Sequence, residues 1–474
     1  MSRHATTSRK IYTDLIAAQS NPTIFLSAGE ASGDHYGAQI IAELARRHSG
    51  ATFFGLGGRE MEAAGQQRIV RAEDVAHMGI TEVLRHAPRV YGSYRKLVAS
   101  IKERRPQVAI LIDFPDVNFR LARELKALNI PVLYFVSPQL WAWKRRRLRW
   151  VQERVDRMMV IFPFEESFYR NRGVNAQFTG HPLAELPLPM RSREDYADSI
   201  SSLPQRHWHF SCGLPDFQHL SPELQWSRPH ENGDITYRID PSKPWIALLP
   251  GSRIGEIFNN LPTMVKTAYE LGDSYEYLLP VAKTITGKQL ENLEYELGDH
   301  YLARAHPPRI TLVPDAREAL FHARASVVAS GTATVQAAVI GNPFVVVYRV
   351  SNLTFRLAKR LVKYPAEVWP SGVPDVHGNL PIAMVNLIAG RAVVPELIQR
   401  NFTAANVASA LAPLIDETPQ RAAMIADLAE IRARLASPDR TTAIAQVSDA
   451  VEALLGSSPQ PGAVQRGRIS STSV

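Results

Sequence analysis

A chain of 474 residues, 45% hydrophobic and 21% charged, is too long for one ordinary core and too apolar to stay disordered, so two large domains with some remainder are expected. Fifty-four Lys and Arg against 46 Asp and Glu leave a formal +8, which favours anionic partners but is modest for a dedicated nucleic-acid binder. The single cysteine, Cys212, excludes an internal disulfide and every multi-cysteine metal site and fits a reducing cytoplasm, while no run approaches the roughly 20 apolar residues of a bilayer span.

Residues 1–20 contain no signal-like apolar core and read as a flexible N-terminus. From Asn21 onward, short apolar runs alternate with helical patterns: TIFLSA then HYGAQIIAELARR, VAILIDF then FRLARELKAL, PVLYFV then a basic segment, RMMVIF then EESFYRNRG. That alternation is the pattern of a parallel doubly wound sheet, expected over 21–187. Residues 188–242, Pro-, Ser- and His-rich from about 191, read as a linker carrying an insertion. The alternation resumes in WIALLPGSR, YEYLLPV, RITLV, ASVVASGTATVQAAVI and NPFVVVYRV, which predicts a second such domain over 243–400. Helices without strands follow over 401–455, the last expected from about Arg421 to Leu455, and 456–474 has the composition of a disordered tail.

In open parallel sheets ligands lie beyond the carboxyl ends of strands, where helix N-termini present backbone donors. ALLPGSRIGEI is the sharpest such turn: Gly251 and Ser252 amides suit phosphate oxygens and Arg253 suits a diphosphate, although a solvent-facing Arg after a Gly turn would read the same. Ser330, Gly331 and Thr332 close another strand in the same domain, as phosphate donors or as a plain helix cap. In the first domain Asp113 ends a strand and is a candidate base or a structural acceptor, while Asp116 reads as a helix cap. Glu30, Ser32, Gly33 and Asp34 share a further strand-to-helix loop, and could bind an acceptor or simply turn the chain. His181 reads first as a satisfied hydrogen bonder. His207, His209, Cys212, His219 and His230 match no zinc spacing, so no metal or other cofactor is expected.

The stretch SPQLWAWKRRRLRW places Trp141, Trp143 and Trp150 beside Lys144, Arg145, Arg146, Arg147 and Arg149. A helix starting near Lys144 would turn Leu148, Val151 and Val155 inward and leave Trp150 with Arg146, Arg154 and Arg157 outside, a face suited to lipid headgroups or to single-stranded nucleic acid, or to plain solvation. Met78, Ile80, Val83 and Leu84, followed by Arg85, His86 and Arg89, form a second patch that suits a membrane interface or a core.

AGEASGDHYGA, FFGLGGREMEAAG, HMGITEVL, IDFPDVN, YFVSPQLWAWKRRR, PFEESFYRNRGV, FTGHPLAE, LLPGSRIGEI, VASGTATVQ, LTFRLAKRLVK and NLIAGRAVVPELIQ stand in the order in which they occur in the lipid-A-disaccharide synthase family, which this chain closely resembles over most of 22–185 and 243–455. The resemblance implies an α/β fold of GT-B type, with two facing Rossmann-like doubly wound domains and C-terminal helices. It implies a metal-independent inverting glycosyltransferase that joins UDP-2,3-diacylglucosamine to 2,3-diacylglucosamine 1-phosphate, forming the β-1,6 disaccharide of lipid A and UDP. It further implies work at the inner face of the inner membrane, no nucleic-acid partner and a homodimer exchanging C-terminal segments. By resemblance Asp113 is the general base, Arg253 holds the diphosphate, Glu30 and Asn386 are polar positions tied to activity, and Ser330 to Thr332 line the nucleotide pocket. Where relatives usually carry Glu to hold the ribose, this chain has Gln336, and 191–242 and 366–381 lack clear counterparts. Competing expectations are another UDP-sugar enzyme of this architecture, a peptidoglycan-precursor transferase or an epimerase, and a non-catalytic lipid-surface module.

Overall fold

The computed structural model describes residues 21–76, 80–201, 207–208, 239–282 and 310–457, with isolated positions 285, 289 and 308. The chain divides into two compact units, residues 1–182 with 437–474, and residues 183–436.

Among its described residues the first unit carries seven strands: β1 (Thr23–Ala28), β2 (Thr52–Gly57), β3 (Gln66–Arg71), β4 (Val108–Ile112), β5 (Val132–Phe135), β6 (Arg157–Val160) and β7 (Ala176–Phe178). They form one parallel sheet in the order β3-β2-β1-β4-β5-β6-β7. The central strands are continuous apolar runs because helices cover both faces; all five residues of β4 are buried. Between β1 and β4 the strand order reverses, and β1 pairs with β4 from Ile24 opposite Val108 to Ala28 opposite Ile112.

The second unit repeats the plan with β8 (His207–Trp208), β9 (Trp245–Leu249), β10 (Glu276–Pro280), β11 (Ile310–Val313), β12 (Ala325–Ala329), β13 (Phe344–Tyr348) and β14 (Glu396–Ile398). The order among the described residues is β14-β13-β12-β9-β10-β11-β8, in which the two-residue β8 runs antiparallel to β11. Its reversal lies between β9 and β12. This is the doubly wound class expected from the alternation, in both halves.

The expected segmentation differs in two places. Residues within the supposed linker form the helix Arg193–Ser201, whose Tyr196, Ala197 and Ile200 are buried in the second unit. The supposed single terminal helix is two, Pro419–Leu435 and Ala443–Ser457, interrupted around Ser437 and Pro438, where proline cannot continue the helical ladder. The final helix belongs to the first unit. Its Ala443, Ile444, Val447, Ala450 and Val451 pack with Ile40, Ile41 and Leu44 of the helix Ala31–Arg47 in one apolar cluster, and Arg47 of that helix pairs with Asp449 and Glu452. The tail beyond Ser457, the first 20 residues and most of the insertion lie outside the described residues.

Val447 is fully buried in that cluster. Val447→Asp would place an uncompensated charge there and is expected to destabilise the first unit by about 3–5 kcal/mol; a urea titration with unchanged midpoint would contradict this packing.

Candidate active site

In the first unit, the loops leaving β1 and β4 emerge side by side at the reversal point. Glu30 sits in the β1 loop at the residue preceding the helix Ala31–Arg47, with extended backbone. Asp113 follows β4 directly, half-buried. Its φ is 44°, and that of Phe114 is 47°, two consecutive non-glycine residues in the left-handed region. Such conformations cost about 1–3 kcal/mol each and persist only where the surroundings over-determine them. The surroundings do so here. Asn118, fully buried on the helix Pro115–Ala127, accepts from Ser27 Oγ through Oδ1 (2.6 Å) and donates through Nδ2 to the Asp113 carbonyl (2.7 Å) and the Ile112 carbonyl (3.2 Å). Tyr134 Oη donates to the same Asp113 carbonyl. Gly29 is required for close approach, since a Cβ there would stand 2.4 Å from the Phe114 ring. Asn118 is the last residue of the IDFPDVN motif, where nothing in the spacing marks it as the residue that joins the two strand ends.

Two neighbours of this site turn out to be structural. The Asp34 carboxylate accepts the amides of Gly58, Glu60 and Met61, tying the first turn of the helix Ala31–Arg47 to the start of the helix Arg59–Ala63. Asp116 is not a cap. It lies in the first turn of its helix, which begins at Pro115, and pairs with Arg147 at 2.6 Å.

In the second unit, the loops leaving β9 and β12 flank the other reversal point. Gly251 has φ 123°, a backbone that an L side chain rarely adopts. Ser252 and Arg253 are exposed, and Arg253 immediately precedes the helix Ile254–Leu271. The Ser252 amide donates to Glu256 Oε2 at 3.3 Å, so an anion at that amide would compete with a long carboxylate contact. Asn260, fully buried on this helix, donates to the Pro250 carbonyl and accepts from the Arg349 amide, coupling the β9 loop to the end of β13. On the β12 loop, Gly331 (φ 153°) and Thr332 are exposed at the start of the helix Thr332–Ile340, and Gln336 lies half-buried one turn in. Ser330 Oγ donates to the Ile382 carbonyl at 3.2 Å, so its hydroxyl holds a neighbouring loop.

Asn386, expected at the donor, is buried and satisfied from within. Its Nδ2 donates to the Val394 carbonyl and to Glu396 Oε1 (2.8 Å), and its Oδ1 accepts the amides of Val393 and Val394. Glu396 in turn accepts the amides of Ile382 and Ala383. Burial raises the Glu396 carboxyl above its usual range, opposed by those bonds. Four hydrogen bonds engage the Asn386 amide, which by way of Glu396 supports the segment that Ser330 grips.

The aromatic and basic stretch is also redistributed. Residues Arg145–Arg147 form one 3-10 turn before the helix Leu148–Arg154, shorter than expected. Trp141 is a core residue, 1% exposed, donating from Nε1 to Glu165 Oε1 at 3.0 Å and meeting Phe164 edge to face. Trp150 is half-buried against Phe119, with the Arg147 and Arg154 guanidinium groups over its ring at 5.3 and 5.0 Å. Arg157 lies in β6 and binds Asn175 and Gln177. Trp143, 50% exposed with Lys144 over its ring, and Arg146 remain outward. Ile80 and Val83 fall in the helix Ile80–Arg104, and Met78 lies outside the described residues.

His181 is buried against Phe162 and held down to about 3 by loss of solvent, so it is neutral. His207 lies in β8, whereas His209, Cys212, His219 and His230 lie outside the described residues. Among the described residues no group of three or more His, Cys, Asp or Glu converges as a metal site, and no helix is long and apolar enough to cross a membrane.

The sequence matches the family model described as lipid-A-disaccharide synthetase over residues 24–207 and 220–451. The chain belongs to the lipid-A-disaccharide synthase family. It is 51% identical over 441 residues to the lipid-A-disaccharide synthase of Acidobacterium capsulatum, covering 92% of this chain and 97% of that one. The corresponding synthase of Koribacter versatilis is 45% identical over 415 residues, 87% of this chain and 93% of its own. Among solved structures, the calicheamicin glycosyltransferase CalG4 superposes with a TM-score of 0.52 at 14% identity over 92% of this chain and 98% of that one, a likeness of fold. The family's architecture is GT-B and its members are glycosyltransferases acting on a UDP-sugar and an acceptor to form the lipid A disaccharide, which is the class of this enzyme.

Two predictions follow from the buried groups. Asn386→Ala leaves the Val393 and Val394 amides and Glu396 short of partners, with an expected loss of about 2–3 kcal/mol in denaturant titration. Burial raises the Glu165 carboxyl to about 8, opposed by its bonds to Trp141 and the Phe162 amide. Because this group holds its proton more tightly folded than unfolded, its contribution is full below about 4.5 and is lost as pH rises through about 8. Glu165→Gln is therefore expected to flatten the fall in melting temperature between pH 5 and 8.5; a parallel fall in both proteins would contradict it.

Proposed function

We propose that this enzyme joins UDP-2,3-diacylglucosamine to 2,3-diacylglucosamine 1-phosphate by one inverting displacement. Asp113 takes the proton of the acceptor 6-hydroxyl as that oxygen bonds the anomeric carbon, and the bond from this carbon to the diphosphate breaks on the opposite side. Arg253 and the amides at the start of the helix Ile254–Leu271 stabilise the departing UDP, and the β12 loop with Gln336 holds the nucleotide. The observation that carries this reading is the position of Asp113 and Glu30, and separately of Gly251–Arg253 and Ser330–Thr332, on the loops flanking the order reversal in their own sheets. The left-handed backbone at Asp113 supports it, because strain of that kind is retained at working sites. Gln336 accepts a ribose hydrogen bond but supplies no charge, so weaker donor binding than with Glu is expected.

The acyl chains of both substrates require a peripheral position at the inner membrane face, supported by the outward Trp143 and its cationic neighbours. For a homodimer by segment exchange, the stretch Ser437–Thr442, between the two terminal helices, is the hinge that would open; light scattering on purified protein reads the mass directly.

Purified protein in detergent micelles is expected to release UDP and a disaccharide 1-phosphate only with both substrates present, read by mass spectrometry. Asp113→Asn, chosen because Asn tolerates the left-handed backbone, should lower turnover by about 100-fold or more with UDP affinity unchanged. Arg253→Ala should weaken UDP binding about tenfold and slow turnover as well. Retained rate in the first variant removes Asp113 from the chemistry, and unaltered UDP binding in the second relocates the donor.

A further inference from the structure

The helix Asn352–Leu361, directly after β13, buries none of its residues. Leu353, Leu357 and Leu361 recur every four positions and are 79%, 56% and 49% exposed, an apolar stripe turned to solvent on a surface helix. On a helical projection Arg356 and Arg360 border this stripe, and Lys363 follows on the same side. The opposite side, through Phe355 and Lys359, lines a cavity of about 300 Å³ shared with His377, Ile398, Gln399 and Arg400, beyond the end of β14. Gln399 stands at φ 53°, and its enclosed Nε2 has no hydrogen-bond partner among the described residues. Next to the helix, the Asp375 side chain accepts the amides of His377 and Asn379 and so builds a tight knuckle. Lys359 Nζ ties the helix to that knuckle through the His377 carbonyl and Asn379 Oδ1. The knuckle carries Val373 and Val376, 62% and 95% exposed, and falls in the segment 366–381 for which the sequence offered no role.

We propose that this helix and knuckle form a docking surface for an anionic phospholipid bilayer, with the leucines and valines entering the headgroup boundary and the Lys359, His377 and Arg400 cavity receiving a lipid phosphate. Charge selects this occupant over a second copy of the chain: residues 351–363 contain four cations and no carboxylate, and the knuckle's Asp375 is engaged by the amides of His377 and Asn379, so a face-to-face pair of these helices would set cation against cation. The combination of an apolar stripe, bordering Arg and Lys and a cavity lined by Lys359, His377 and Arg400 is the one an anionic interface complements. The inference deepens the peripheral-membrane reading above, rests on it, and names a surface that the tryptophan stretch does not include.

The test is co-sedimentation of the full-length protein with vesicles of phosphatidylcholine alone or containing 30% phosphatidylglycerol, at two salt concentrations. Wild type is expected to bind the anionic vesicles and to weaken with salt. The triple variant Leu353→Ser, Leu357→Ser, Leu361→Ser is expected to lose at least tenfold in partition, with its melting temperature unchanged because none of the three is buried. Lys359→Ala with Arg400→Ala should erase the preference for anionic over neutral vesicles while leaving weak residual binding. Wild type that ignores vesicles overturns the membrane reading as a whole. Wild type that binds, with the triple variant binding equally, overturns this surface alone, and a triple variant that binds vesicles normally but sediments as a smaller species than wild type assigns the stripe to a second copy instead.

Discussion

Where a central strand of a parallel sheet ends, its last carbonyl and the next amides leave the ladder while still enclosed by protein, and each must find a partner. Both units meet this demand with a buried asparagine, the first across its reversal of strand order and the second between the β9 loop and the end of β13. Asn118 ties the β1 end to the β4 end and holds Asp113 and Phe114 in a strained backbone. Asn260 ties the β9 loop to the end of β13 and so fixes the approach to Arg253. An amide side chain suits this task because it donates and accepts at once without carrying charge into the interior. The backbone that carries the candidate chemical groups is thereby fixed at both loops. A third asparagine, Asn386, extends the same logic by way of Glu396 to the segment that receives Ser330.

A second theme is the handling of polar groups beneath the basic stretch. Trp141, Glu165, Ser137 and Tyr169 form an enclosed polar group in which the carboxyl stays protonated near neutrality. His181, reached through Phe162, stays neutral for the same reason. Ionising either group without a partner would cost far more than the hydrogen bonds return. The exposed residues Trp143, Arg146 and Arg149 are therefore mounted on a base whose integrity depends on two groups remaining uncharged.

Much of the fold was legible because fully buried parallel strands are written as uninterrupted apolar runs, as in VAILI and WIALL, and because Gly-containing turns mark their ends. Short strands such as β7 and β14 carry too few residues to show a period, and the two-residue β8 carries none. The break between the terminal helices is masked because both sides keep apolar spacing, although Pro438 and the capping Thr442 mark it locally. At the site, Asp113, Gly251 and Arg253 stood out through their position after strands. Asn118 and Asn260 did not, because what distinguishes them is burial beside two distant carbonyls, which spacing does not encode. Trp141 failed for the converse reason: basic neighbours suggested a wet face, while its partner Glu165 lies 24 residues on.

The return of the last helix to the first unit has a consequence during synthesis. Arg47 and Asp449, paired in the finished protein, are separated by 402 residues, and the apolar cluster around Ile40, Ile41 and Leu44 lacks part of its cover until the helix Ala443–Ser457 exists. At roughly 5–20 residues per second, a ribosome needs about 20–80 s to deliver it. The second unit, continuous in the chain, can close while its neighbour still waits for its last helix, so the first domain made is the last to be finished, and a nascent chain meets chaperones and its own kind through the part of that cluster still open.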